Sequence, residues 1–422
     1  MQAEIVESVQ HSVTPGSCRD IYYPGESNSD LQCFPTTVEN RFYVDLPSLD
    51  SGSTSTIIFN PDQGLSDIVL TATLPAPSGS VYTNWALPRG WLPAMISQVG
   101  LRVGGSSLYY WSGDQIAIDT LAECEDAEKK NAVFQLGGAE CLTLADYSST
   151  LNRTGYAYIK MPFNSISALQ KPLCLPTDLL TQPVQLLIQF KPFSQVFFPL
   201  AGALQSDLPT RFASAAVNFK QTHMQDQGHL LARRENMNEK ALTYPLRHFA
   251  QTTFRTTVSA TAGQDLQLSL TGFRSGSVKY IDLWAVKQSD AVGGNPWNYV
   301  PILAARLSVN GLVYYDTRVA SSQFWNLCER KTPASVNNTV LADAGGGSAS
   351  ATPSLTQWTV IPFSQVSEPM ASENELVLGL PIANSVVNLT IQLPTTDTYV
   401  ISAAYHYASS MLFSRGSAEY VF

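Results

Sequence analysis

Four short stretches of this 422-residue chain recur in the same order, each about 200 residues further on. Val184–Phe190 (VQLLIQF) returns at 387–393 (VNLTIQL), 203 residues later, with four of the seven positions identical. Residues 159–163 (IKMPF) return at 359–363 (TVIPF), 200 residues later. Residues 101–105 (LRVGG), followed by Tyr109-Tyr110, return at 307–311 (LSVNG), followed by Tyr314-Tyr315, at spacings of 206 and 205. Residues 67–73 (DIVLTAT) face 265–271 (DLQLSLT) at a spacing of 198. Strands share a small alphabet, so each match alone is weak. Four matches in one order at nearly one spacing predict two copies of a single domain of about 200 residues, a usual domain size. The join is expected near 225–240, where a charged, helix-like stretch lies.

Each copy reads as β-structure. Residues 66–74 (SDIVLTATL), 277–286 (SVKYIDLWAV) and the VQLLIQF pair are short and rich in Val, Ile, Leu and Thr. Several alternate apolar and polar residues, as half-buried strands do. The chain's 26 Gly and 25 Pro help to separate them. A helix is predicted over 118–135, capped by Asp119 or Thr120, and a second over 227–238. Residues 337–353, small, polar and rich in Gly and Ser, read as a loop. About eight strands per copy, with long connections, suit two tandem jelly-roll β-sandwiches with short helical insertions better than a propeller. The expected division is an N-terminal arm over 1–42, a first jelly roll over 43–224, a linker over 225–240 and a second jelly roll over 241–422.

Charged residues make up only 14% of the chain, against about 25% in average soluble proteins. Hydroxyl and amide groups, or neighbouring subunits, must cover much of the surface. With 25 basic and 34 acidic residues the net charge is -9. That argues against a general nucleic-acid binder, whose basic surface neutralises phosphates. No apolar run approaches the roughly 18–20 residues of a membrane span, and no secretory signal is visible at the N-terminus. Cys18, Cys33, Cys124, Cys141, Cys174 and Cys328 form no C-x-x-C pair and no zinc spacing. They are expected to be mostly reduced thiols of a protein made in the cytosol.

Signals for catalysis are thin. The histidines at 11, 223, 229, 248 and 406 lie in no H-E-x-x-H pattern, so a metal site would have to be assembled from distant strands. There is no G-x-S-x-G elbow, no phosphate-binding G-x-x-x-x-G-K-[ST] and no G-x-G-x-x-G. The acidic group Glu123, Glu125, Asp126 and Glu128 lacks the alternating ligands and glycine of a calcium loop and reads as a solvated helix face. Arg233 and Arg234, near Lys240, sit beside Glu235 and Glu239, and ion pairing within the linker accounts for them. The sequons at Asn152, Asn337 and Asn388 read as chance matches, with Asn388 inside an expected strand. No catalytic, cofactor-binding or metal-binding residue is assigned, and no cofactor is expected. Exposed aromatics are also how carbohydrate-binding modules hold sugars. The Tyr22-Tyr23, Tyr109-Tyr110 and Tyr314-Tyr315 doublets therefore keep a tandem β-sandwich that binds carbohydrate or mediates cell-surface adhesion as the alternative. An enzyme built on a sandwich comes third.

Three stretches carry a family likeness: residues 96–116 (ISQVGLRVGGSSLYYWSGDQI) leading into an acidic helix, residues 158–190 (YIKMPFNSISALQKPLCLPTDLLTQPVQLLIQF), and residues 399–422 (YVISAAYHYASSMLFSRGSAEYVF). In these the chain resembles the double jelly-roll major capsid proteins of double-stranded DNA viruses. That lineage includes adenovirus hexon, tailless membrane-containing phages, virophages, polinton-like viruses and nucleocytoplasmic large DNA viruses. The resemblance implies a structural subunit of the virion, synthesised in the host cytoplasm. It implies a homotrimer whose six jelly rolls make a pseudo-hexagonal capsomer tiling an icosahedral shell. It also implies contacts with neighbouring capsomers and with minor capsid or penton proteins, and an arm beneath the shell against neighbours or an internal membrane.

Overall fold

The computed structural model describes residues 37–59, 64–104, 106–122, 127–160, 175–177, 180–224, 235, 242–273, 277–293, 296–318, 358–363, 380–414 and 417–421. The expected arm up to residue 36, the loop at 337–353, the helix at 227–238 apart from Glu235, and Glu123, Glu125 and Asp126 lie outside them.

Strands β1 (Thr37–Asp45), β2 (Thr54–Phe59), β3 (Gly64–Thr73), β4 (Trp85–Ala86), β5 (Ile96–Val103), β6 (Ser106–Trp111), β7 (Thr154–Lys160), β8 (Leu175–Pro176), β9 (Val184–Phe190), β10 (Phe198–Pro199) and β11 (Ser214–Met224) come first. They make two antiparallel sheets, β1-β11-β3-β7 with β8 beside β3, and β2-β9-β5-β6, plus the short pair β4-β10. The remaining strands are β12 (Leu242–Ala260), β13 (Asp265–Leu270), β14 (Ser277–Lys287), β15 (Ala304–Val309), β16 (Leu312–Asp316), β17 (Thr359–Pro362), β18 (Leu380–Pro381), β19 (Val387–Gln392), β20 (Asp397–Ser414) and β21 (Ser417–Val421). Their sheets are β12-β20-β14-β17, with β18 beside β14 and β21 beside β20, and β13-β19-β15-β16. The second pair of sheets repeats the first strand for strand, with β21 added.

Alternation builds the cores. In β9, Val184, Leu186, Ile188 and Phe190 are buried while Gln185, Leu187 and Gln189 face outward. In β19, Val387, Leu389 and Ile391 are buried and Asn388 is exposed. The inward residues of both sheets, such as Ile68, Leu70, Leu186 and Ile188, join one buried cluster that continues through the second copy. Each such side chain contributes roughly 1.5–3 kcal/mol by leaving water.

The repeat holds at the level of register. Val103 pairs with Val184 and Leu101 with Leu186; their counterparts Val309 and Leu307 pair with Val387 and Leu389. Both hairpins carry a bulge at the same place, after Leu101 and after Leu307. The second turn needs two left-handed residues, and Asn310 (φ 50°) and Gly311 (φ 83°) supply them.

Some expectations change. The 198-residue match of 67–73 with 265–271 does not align equivalent strands. β3 lies between β11 and β7, whereas β13 is an edge strand beside β19. The counterpart of β3 is β14, and that of β13 is β2; a shared Asp-Leu-Thr alphabet produced the false pairing. The tyrosine doublets are one residue out of step, because Tyr109 pairs with Leu101 and Tyr315 with Leu307. The bulged residues are therefore Leu108 and Tyr314. The helix predicted over 118–135 begins earlier, as Gly113–Ala122, with a second helix at Ala127–Leu136. Ser112, rather than Asp119 or Thr120, caps it: its Oγ accepts from the Gln115 N–H at 3.2 Å. The Thr120 hydroxyl instead donates to the Ile116 carbonyl, 2.6 Å away, in mid-helix. A further helix, Leu144–Ser148, is held by a reciprocal cap between Thr143 and Asp146. β1 begins at Thr37, so its sheet takes in residues that the sequence division left in the arm.

Candidate functional site

The most informative surfaces are the seam between the two sandwiches and the face of the second sandwich that corresponds to it. At the seam, the loop after the helix Gln288–Gly293 enters the first sandwich. Trp297 is fully buried there. Its indole N–H donates to the Gly90 carbonyl at 3.3 Å, and its ring meets Phe134 edge-on at 6.0 Å. The Tyr299 hydroxyl donates to Asp114 Oδ1 at 2.9 Å. Burial, then the Asp114 carboxylate, pushes the Tyr299 pKa well up, so this hydroxyl keeps its proton. Desolvation lowers the pKa of Lys191, a shift that Asp114 opposes.

Strand β6 is part of the same seam, lying against β12 and β21. Its Leu108, Tyr109 and Trp111 are 4%, 3% and 2% exposed. The equivalent strand β16 has a different fate. Leu312, Val313 and Tyr314 are 67%, 46% and 43% exposed, and Tyr315 alone of the four is buried. Val386, also exposed, sits beside the hairpin, where its N–H donates to Asn310 Oδ1 at 2.9 Å. The copies differ at the bulge, where Leu108 is covered and its counterpart Tyr314 is exposed; Tyr109 and Tyr315 are both buried, and the exposed Leu312 and Val313 stand where β6 has Ser106 and Ser107. Across the first sandwich, the edge strand β1, counterpart of β12, presents Tyr43 to solvent.

A polar cluster also spans the seam. Asp119 comes from the first sandwich's helix, while Asp282 on β14 and His406 on β20 come from the second. Ligand atoms from the three lie within 4.8 Å of one another. Register pairs His406 with Tyr280 and Ala404 with Asp282, which sets the histidine and aspartate diagonally on one face. His406 Nε2 is 2.7 Å from Asp282 Oδ2, and the ring stacks on Tyr280 at 3.9 Å. Among the described residues no hydrogen-bond partner reaches His406 Nδ1. No spacing in the sequence marks this cluster, since its members are far apart in the chain.

The remaining sequence features are structural. Cys141 is a buried free thiol, its pKa pushed up to about 12 by burial, then by Asp146 and Glu140. The Asn152 amide donates to the Asp146 carbonyl, and Asn388 accepts from Ser269 across two strands. Tyr109 is buried and Tyr314 rests edge-on against Phe363, while Tyr22-Tyr23 lies outside the described residues. Among the described residues, no helix is long and apolar enough to cross a membrane.

No family model and no curated protein matches the sequence. Solved structures do. The PBCV-1 virus capsid structure is 13% identical and aligns with a TM-score of 0.58 over 92% of this chain and 97% of that one. The Faustovirus major capsid protein is 8% identical, with a TM-score of 0.56 over 92% of each chain. The Sputnik virophage structure is 11% identical, with a TM-score of 0.52 over 91% of this chain and 88% of that one. Such structures are built from two jelly rolls. Coverage of nine-tenths of the chain, with the strand-for-strand duplication, gives this protein the double jelly-roll fold.

Proposed function

We propose that this chain is a major capsid protein, a structural subunit without catalytic activity, made in the host cytoplasm and assembled into an icosahedral virion. Three copies associate through their sandwiches into a pseudo-hexagonal capsomer, and capsomers meet one another and minor capsid proteins in the shell. The two jelly rolls divide between Met224 and Leu242. The fold is one that PBCV-1 and Faustovirus capsid proteins use, and the low charge content suits a surface covered by neighbours.

The observation that carries the reading is the contrast between Leu108 of β6, which is buried, and its counterpart Tyr314 of β16, which is exposed beside the apolar Leu312 and Val313. Within one chain, β6 of the first sandwich is covered by β12 and β21 of the second. The same relation applied between chains covers β16 with β1 of the next copy. A heterologous contact of this kind either closes into a ring or runs on as a filament. Two sandwiches per chain close after three chains into six similar wedges. Solvent-facing Leu312, Val313, Tyr314 and Val386 on one side, and Tyr43 on the other, are the matching ends of that contact.

Introducing a charge at two of these positions, Leu312→Asp with Tyr314→Asp, tests it. Both side chains face solvent in the single chain, so the fold is retained. In the assembly each would bury an unpaired carboxylate, and central interface anchors are worth about 2 kcal/mol or more, roughly thirtyfold in affinity, apiece. Light scattering is expected to give three chains for the unsubstituted protein and one for the variant, with unchanged circular dichroism. A variant that remains a trimer would remove β16 from the interface.

A further inference from the structure

We propose that Asp119, Asp282 and His406 form a divalent-metal site of the zinc class that ties the two sandwiches together. It is a structural site, distinct from any catalytic centre, and does not depend on the capsid reading.

Three observations point to an ion. The three side chains come from three elements in two sandwiches, yet each offers a ligand atom within 4.8 Å of the other two. His406 and Asp282 are 2% and 4% exposed, and buried charges in proteins are paired or coordinate metals. One imidazole nitrogen accompanies two carboxylate oxygens, a mixed donor set that suits a divalent cation. One histidine with two aspartates is a donor set that Zn²⁺ accepts, and its filled d shell tolerates irregular geometry. Purely oxygen-liking ions such as Ca²⁺ and Mg²⁺ favour sites without imidazole.

The present 2.7 Å between His406 Nε2 and Asp282 Oδ2 is a hydrogen-bond distance. Zinc bonds of about 2.0–2.1 Å in a tetrahedron set neighbouring ligand atoms roughly 3.3 Å apart. A small rotation of the Asp282 carboxylate makes that room. The competing arrangement is a buried His–Asp pair that needs no ion, with Asp119 as a bystander.

The test uses the full chain, stripped with a chelator, passed over gel filtration and titrated with Zn²⁺. Elemental analysis is expected to give one zinc per chain, and zinc is expected to raise the thermal midpoint. His406→Ala opens a core position and is open to the objection that it misfolds. Asp119→Asn keeps shape at a partly buried position and decides the matter: it is expected to weaken zinc binding at least tenfold and to abolish the thermal shift. Absence of stoichiometric zinc in the unsubstituted protein would overturn the proposal. So would an Asp119→Asn variant that binds within twofold of it, because the ion would then sit elsewhere.

Discussion

Replacing Trp297 with alanine is expected to destabilise the protein by about 3–5 kcal/mol, the range for deleting a buried tryptophan, and to uncouple its two halves. Trp297 belongs to the second sandwich but is buried against the first. It fills the space beside Phe134 and donates to the Gly90 carbonyl. Its ring also packs edge-on against Tyr299, whose hydroxyl reaches Asp114. Removing the indole leaves a cavity where the sandwiches meet and takes away the hydrogen bond to the Gly90 carbonyl. Urea unfolding followed by tryptophan fluorescence and circular dichroism is expected to show one transition in the unsubstituted protein and two in the variant. A single transition displaced by less than about 1 kcal/mol would mean that the seam does not couple the sandwiches.

Gly113→Ala is expected to cost at least about 3 kcal/mol, against what local preference predicts. Gly113 opens the helix that carries Asp114 and Asp119, and in a helix alanine is favoured over glycine by about 1 kcal/mol. Here a Cβ would lie 2.0 Å from the Pro93 carbonyl oxygen and 2.5 Å from that of Ile96. Both are backbone atoms, so no rotamer change relieves the clash. Overpacking of this kind costs 1–3 kcal/mol or more when backbone must move. Gly263→Ala provides the contrast. Its φ is +65° and a Cβ there meets nothing within 4 Å, so only the left-handed strain of about 1–2 kcal/mol applies. Thermal denaturation of the two variants should separate widely; a Gly113→Ala protein as stable as the unsubstituted one would contradict the packing described for this helix.

What the sequence made legible was local. VQLLIQF and VNLTIQL alternate because one face of each strand is buried, and that period survives divergence. LRVGG and LSVNG remain alike because the hairpin turns demand residues that accept positive φ, as Gly104 and its counterpart Asn310 do. The match between 67–73 and 265–271 failed because composition alone does not say which strands are neighbours. The helix start at Gly113 was missed because the cap, Ser112, directly follows an aromatic strand. The seam was illegible for a different reason. Leu108 and Tyr314 occupy equivalent bulges, yet one is buried and the other exposed, a difference made by the neighbouring sandwich. The Asp282–His406 contact joins residues 124 positions apart, and Asp119 reaches it from the other copy, so no motif spacing could announce the cluster.

The central claim is that two jelly rolls per chain are the repeating wedges of a shell. Electron microscopy of the purified full-length protein tests it most directly. The account predicts particles with a pseudo-hexagonal outline made of three chains, six sandwiches around one axis, with β16 of each chain against β1 of the next. Elongated single chains at every concentration, with β16 open to solvent, would contradict it.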